Sequence, residues 1–241
     1  MGREFETTDE LHVDATPDQV WAAIATGPGI DSWFMGRNEV DAAQTVRTAF
    51  GAYTPEHAIT AWEPGKHLAY GSEPAPDGRT VAYEFLIEGR DHGSTVVRVA
   101  TSGFFPGDDW ADEFEAMTRG NTLFFHTLVT YLNHFAGRTA TPVTAFGGLI
   151  TDWPRTRARL VEAIGRDGDR VHFTPEGLPP VDGVVYFENE DTIGIRSDDA
   201  IYRFLRGFRG PVMASHHLFT DLSPAHAEQA WQAWLTSKDL T

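Results

Sequence analysis

The chain has 241 residues, 41% apolar and 22% charged, a folding composition that points to one large or two modest domains. Cysteine is absent, which excludes disulfides, thiolate zinc sites, iron–sulfur clusters and cysteine nucleophiles. The formal net charge is −16, with 9 basic and 21 acidic residues up to Arg138 and 10 and 14 after it; neither half offers a basic stripe, so no nucleic acid and no anionic membrane surface is expected as a partner.

No apolar run approaches the ~20 residues of a membrane span, and the acidic start lacks the apolar segment of a secretory signal. These features predict a cytoplasmic protein.

The segment from Arg3 to Ala15 reads as a strand, with Leu11 and Val13 alternating against His12 and Asp14. Thr16-Pro17-Asp18-Gln19 predicts a helix start: Thr16 as N-cap, Pro17 in the first turn and Gln19 in the capping-box position. The helix carries Val20, Trp21 and Ile24 and ends at Gly27-Pro28-Gly29. Ile30 to Phe34 follows as a short turn with two large aromatic residues, and the segment from there to Thr45 is left unassigned.

Strands are predicted at Thr45 to Phe50, His57 to Trp62 and His67 to Tyr70, the last two joined by a turn at Glu63-Pro64-Gly65-Lys66. The clearest hairpin is Thr80 to Gly103. Val81, Tyr83, Phe85 and Ile87 share its inward face, matched after a turn at Arg90-Asp91-His92-Gly93 by Val97, Val99 and Thr101. Leu86 breaks the polar alternation of the outer face, and Arg98 is expected to pair there with Glu84 or Glu88.

Asp108 to Phe135 reads as one long amphipathic helix closed by Gly137. Its stripe is Phe114, Met117, Asn121, Phe124, Phe125, Leu128, Leu132 and Phe135; Glu115, Arg119, His126 and Asn133 lie opposite. A sheet of few strands buries its apolar face by laying such a helix across it, and a space between the two is expected.

From Thr139 the pattern restarts: a strand from Val143, a helix opened by Asp152, short strands at Arg170 to Phe173, Gly183 to Phe187 and Thr192 to Ile195, and a strand at Pro211 to Phe219. Asp198-Asp199 is read as the cap of a helix carrying Ile201, Phe204, Leu205 and Phe208, and Ser223-Pro224 opens a last helix with Trp231 and Trp234.

The opening strand and Thr16-Pro17-Asp18-Gln19-Val20-Trp21, the turn at Ile30 to Phe34, the segment Ile59 to Leu68 and the long helix together resemble the START-like, helix-grip (SRPBCC) superfamily, which includes polyketide cyclases and Bet v 1-type proteins. Within it the chain is most similar to the group named after the Hsp90 ATPase activator homologue. The resemblance covers roughly residues 3–137. It implies an α+β helix-grip domain at 1–138, with an antiparallel sheet wrapped around a long helix. The rest, 139–241, looks like a smaller α+β module, a shortened second copy that departs from the pattern at the helix read after Asp199. Members bind hydrophobic small molecules, cyclise polyketides or assist chaperones, and fold alone does not choose among these.

The leading expectation is a hydrophobic small molecule held between sheet and helix, lined by Trp33, Tyr83, Phe85, Val99, Met117, Asn121 and Phe125. Two other classes stay open: a cyclase or aromatase, with only Tyr83 and Asn121 as candidates, and a chaperone-associated interaction protein. No P-loop, dinucleotide fingerprint, nucleophile elbow or zinc-protease motif is present. No catalytic residue, cofactor or metal is implied, and His216-His217 point to opposite faces of a strand. Asn121, an amide inside an apolar stripe, either anchors a ligand or bonds a strand carbonyl or a buried water. Trp33 and Phe34 either gate the cavity or belong to the core. The C-terminal module is expected to enclose no second ligand cavity and to pack its aromatic residues on the first domain or on a second subunit, which leaves a homodimer open.

Overall fold

In the computed structural model, which describes residues 2–51, 54–90, 93–207, 210–238 and 240, the chain forms two compact units, Met1–Thr139 and Ala140–Thr241. The class is α+β.

The N-terminal unit runs β1 (Arg3–Val13), α1 (Pro17–Ala25), α2 (Gly27–Ile30), β2 (Arg37–Asp41), β3 (Thr45–Ala49), β4 (Glu56–Glu63), β5 (His67–Ser72), β6 (Thr80–Gly89), β7 (Thr95–Phe105) and α3 (Trp110–Phe135). Its seven strands form one antiparallel sheet in the order β1-β7-β6-β5-β4-β3-β2. The capping box at α1 is complete. The Gln19 N–H donates to Thr16 Oγ1 at 3.3 Å, and the Thr16 N–H donates to Gln19 Oε1 at 2.9 Å. Strand β2 fills the unassigned segment; its Asn38 N–H donates to the Asp31 carboxylate at 2.6 Å. The expected turn residues Asp91 and His92 lie outside the described residues.

Parity holds along β6 and β7. Phe85 and Val99 face each other across the pair and are both buried, while Leu86 is 43% exposed. On the outer face Arg98 pairs with Glu88 and, across β1, with Glu10; Glu84 is taken by His67 instead, at 2.7 Å. Along α3, Asn121, Phe125, Leu128, Leu132 and Phe135 are buried and Glu115, Arg119, His126 and Asn133 exposed, as a single stripe requires.

The C-terminal unit runs β8 (Thr141–Leu149), α4 (Trp153–Ala163), β9 (Arg170–Phe173), β10 (Val181–Glu188), β11 (Thr192–Arg196), β12 (Ala200–Arg206), β13 (Pro211–Leu218) and α5 (Pro224–Ser237). Its six strands form a second antiparallel sheet, β8-β13-β12-β11-β10-β9. Both units follow one plan: the first strand pairs with the last, the strands between meander in order, and a helix closes the unit.

The helix read after Asp199 is instead strand β12; Phe208 lies outside the described residues. Ser197-Asp198-Asp199 is a hairpin turn, in which the Ser197 N–H donates to the Ala200 carbonyl at 3.0 Å and Ser197 Oγ donates to the Asp199 carboxylate at 2.8 Å. Ile201, Phe204 and Leu205 have helical spacing, but the run from Ala200 to Phe204 is buried at every position, as a strand covered on both faces requires. Periodicity cannot separate the two readings of so short an apolar run. The core beneath is aromatic: Phe173, Tyr202 and Phe204 pack on Trp231 and Trp234 of α5.

Candidate functional site

A cavity of about 260 Å³ lies between the inner face of the N-terminal sheet and α3. Alternation on β6 aims Val81, Tyr83 and Phe85 at it, and the stripe of α3 brings Met117, Asn121, Phe124 and Phe125 to the opposite wall. The turn after α2 closes one end. There Trp33 is 3% exposed, and its indole N–H donates to the Ala23 carbonyl at 3.0 Å, so the ring is a fixed wall rather than a gate. Phe34 packs on Phe124, ring centroids 4.5 Å apart.

Six of the seven residues expected from the sequence line this space: Trp33, Tyr83, Phe85, Met117, Asn121 and Phe125. Val99 does not. It shares the inner face opposite Phe85 but is fully buried and outside the cavity wall.

Among the described residues Asn121 bonds two strand side chains rather than a strand carbonyl. Its Nδ2 donates to Thr101 Oγ1 at 3.2 Å, and its Oδ1 accepts from the Tyr83 hydroxyl at 3.5 Å. Helix and hairpin are thus joined by a side-chain relay along the cavity wall, with Thr101 fully buried and Tyr83 half-buried.

Five further polar residues line the cavity: Asn38, Thr48, His57, Tyr70 and Arg79. Tyr70 stands directly opposite Tyr83 in the β5–β6 pairing, ring centroids 5.7 Å apart, and His57 meets Tyr70 edge-on at 5.8 Å. Burial, and to a lesser degree Tyr83, push the Tyr70 phenol above its ordinary value; burial pushes the His57 imidazole below its own, so at neutral pH both are uncharged. Arg79 sits at the edge, held by Glu113 at 2.9 Å and Asp77 at 3.4 Å. His57 and Tyr70 escaped the sequence reading because their strands were read without a register. Matching Tyr70 against Tyr83 across the β5–β6 hairpin is the signal that finds them.

A second polar cluster is self-satisfied. Asn38 donates through Nδ2 to Asp31 at 3.0 Å and accepts from Thr48 Oγ1 at 2.7 Å. Burial raises the Asp31 carboxyl, opposed by the Asn38 hydrogen bonds and the Arg37 charge. Asn38 and Thr48 close the β2–β3 end of the wall, and no carboxylate among the described residues lines the cavity. Proton transfer here would fall to His57, Tyr70 and Tyr83, which widens the expected candidates beyond Tyr83 and Asn121.

The C-terminal unit holds a cavity of its own, of about 240 Å³, against the expectation that so small a module encloses none. Its wall runs from the β9–β10 connection to Tyr202 and Trp231. The expectation counted long apolar runs, but this space is made by loop prolines and two aromatic rings. Among the described residues no three metal-ligating side chains cluster, and no helix is long and apolar enough to cross a membrane.

No family model matches the chain, and no curated protein matches it. Solved structures match it at low similarity. DynU16, a protein of the dynemicin biosynthetic locus, is 17% identical with a TM-score of 0.45, covering 98% of this chain and 96% of its own. The Aha1 dimer from Colwellia psychrerythraea is 18% identical at 0.44, covering 54% of this chain and 96% of its own. Protein MLL2253 from Mesorhizobium loti is 21% identical at 0.46, covering 53% and 96%. None of these values places the chain in a family, and the fold rests on the structure described above.

Proposed function

We propose that the chain is a START-like, helix-grip protein whose N-terminal unit binds a compact hydrophobic molecule carrying a hydroxyl or carbonyl group. The observation that carries this reading is the cavity of about 260 Å³ whose apolar walls carry three uncharged polar groups, Tyr70 and Tyr83 on the sheet and Asn121 on α3. Its volume falls just under the ~300–1,000 Å³ of typical small-molecule pockets. That suits a mono- or bicyclic aromatic better than a two-chain lipid. The polar groups would orient the ligand, since a buried hydroxyl or carbonyl must find a partner there.

The test is calorimetric titration of 1-naphthol into the full chain and into a Met117→Trp variant, whose larger side chain fills the space. Binding by the native chain and its loss in the variant are expected. A native chain that binds no 1-naphthol, or a variant that binds it equally well, refutes the reading. Native mass spectrometry of the purified protein would identify any small molecule carried along.

A cyclase-type activity is the second reading, favoured by one observation: the uncharged His57 imidazole lies edge-on to Tyr70 in the same wall. A neutral imidazole can take a proton and a phenol can give one. Under this reading His57→Phe abolishes turnover of an aromatic polyketide mimic while leaving 1-naphthol affinity intact.

A further inference from the structure

The cavity between the N-terminal sheet and α3 carries more hydrogen-bonding capacity than the protein itself uses, and the surplus sits on one side. On α3, Asn121 is engaged with Thr101 at 3.2 Å and with the Tyr83 hydroxyl at 3.5 Å. Across the cavity His57 of β4 and Tyr70 of β5 meet edge-on, ring centroids 5.8 Å apart. Neither side chain makes a hydrogen bond among the described residues. Both line the cavity and both are half-buried. Their polar atoms are not sealed inside the packing. The described side-chain atoms that are buried without a partner belong to Thr45, Glu113, His216, His217 and Trp231, and to neither His57 nor Tyr70. The Tyr70 hydroxyl and the His57 ring nitrogens therefore have open space beside them.

The chemistry of these two groups narrows what they can hold. The His57 imidazole, depressed by burial, is uncharged at neutral pH and offers one nitrogen as an acceptor. The Tyr70 phenol, raised by burial, keeps its proton and can donate it. A ligand hydroxyl matches either group, giving its proton to the imidazole or accepting one from the phenol. A carboxylate finds no such welcome: Arg79, the cation in the wall, is already held by Glu113 and Asp77. Tyr83 stands opposite Tyr70 at 5.7 Å, so His57, Tyr70 and Tyr83 form an evenly spaced row. Such a row can meet two oxygens on one edge of an aromatic ring. Ortho oxygens lie too close together to reach separate residues, and para oxygens point away from each other. Meta oxygens share an edge and lie roughly one strand spacing, ~4.8 Å, apart.

We infer that the N-terminal cavity takes a 1,3-dihydroxylated aromatic ring, one hydroxyl oxygen accepting from Tyr70 and the other hydroxyl donating to His57. The inference rests on the reading that this unit binds a compact hydrophobic molecule, and it makes His57 the residue that selects among such molecules.

Three ligands of one ring system test it. 1-Naphthol carries one hydroxyl, 1,3-dihydroxynaphthalene adds a second on the same edge, and 1,5-dihydroxynaphthalene adds it on the far ring. Calorimetric titration of the full chain is expected to show the 1,3-diol binding about tenfold tighter than the other two. His57→Phe keeps an aromatic ring against Tyr70 but has no acceptor, and should remove that preference. In the native chain labelled with ¹⁵N-histidine, the 1,3-diol should shift one imidazole resonance that 1-naphthol and the 1,5-diol leave in place; this measurement decides the matter should the variant fail to fold. Binding of 1-naphthol with no preference for the 1,3-diol would overturn the inference and leave the hydrophobic-ligand reading standing. Failure of all three to bind would remove both. A 1,5-diol that binds as tightly as the 1,3-diol, a preference that survives in His57→Phe, or an imidazole spectrum unmoved by the 1,3-diol would each overturn the role of His57.

Discussion

The Tyr83 hydroxyl donates to the Asn121 amide oxygen at 3.5 Å, and the same amide donates to Thr101 at 3.2 Å. One residue of α3 thereby satisfies two hydroxyls of the β6–β7 hairpin, and the hairpin and helix hold the two sides of the cavity at a set spacing. Asn121 is therefore a structural link and a cavity wall at once. Asn121→Leu keeps the apolar stripe but strands Thr101 in a buried position. Urea unfolding should show a loss of about 1–3 kcal/mol, and a change of less than half a kcal/mol would remove the relay from the account of stability.

A buried histidine and a half-buried one set an acid limit. His216 is buried against Trp231, ring centroids 4.2 Å apart, and its Nδ1 accepts from the Arg203 N–H at 3.2 Å. Burial, and then the Arg203 charge, depress its pKa to about 3, and burial depresses that of His57. A depressed folded value means the unfolded chain binds more protons below its own pKa of about 6.5, so stability is complete above that pH and declines as pH falls toward 3. Thermal melts between pH 7 and 4 should show this decline, and His216→Phe should flatten it. A native chain whose melting temperature is level across that window would contradict the assignment.

Gly103 in β7 has no room for a side chain. A Cβ there would come within 2.1 Å of the Thr80 carbonyl and 2.9 Å of the Phe5 ring. The backbone oxygen belongs to the neighbouring strand and cannot step aside without breaking the pairing. Gly103→Ala should therefore cost about 1–3 kcal/mol, read as a lower urea midpoint with the fold retained by circular dichroism.

Glu188 joins two arginines in the C-terminal unit. Arg166 grips it with paired bonds of 2.8 and 2.9 Å, and Arg157 completes the cluster. The Arg166 hydrogen bonds, with smaller help from Arg157, hold its pKa at about 2. Its side chain is 31% exposed, so solvent and salt screen the pair. Glu188→Gln should cost about 0.5–1 kcal/mol in dilute buffer and close to nothing in molar salt. A penalty that persists at high salt would mean the carboxylate acts through packing instead.

Much of this protein was legible in short stretches of its sequence. The Thr16 capping box, the stripe of α3 and the parity of β6 and β7 each depend on residues within a few positions of one another, and each appears in the structure. The same local periodicity located five cavity residues, Tyr83, Phe85, Met117, Asn121 and Phe125, because an inward strand face and a helix stripe must meet if both are to leave water. It failed where the outcome depends on distant partners. Ile201, Phe204 and Leu205 became a strand because β11 and β13 supply hydrogen bonds on both sides. Register between separate strands decided that Tyr70 and His57 enter the cavity and that Val99, correct in its face, stays outside the wall. The C-terminal cavity joins a proline loop, a hairpin turn and a helix, positions brought together only by folding. Secondary structure is set by local energies that the sequence displays; a cavity is the space left over when all the long-range packing is complete.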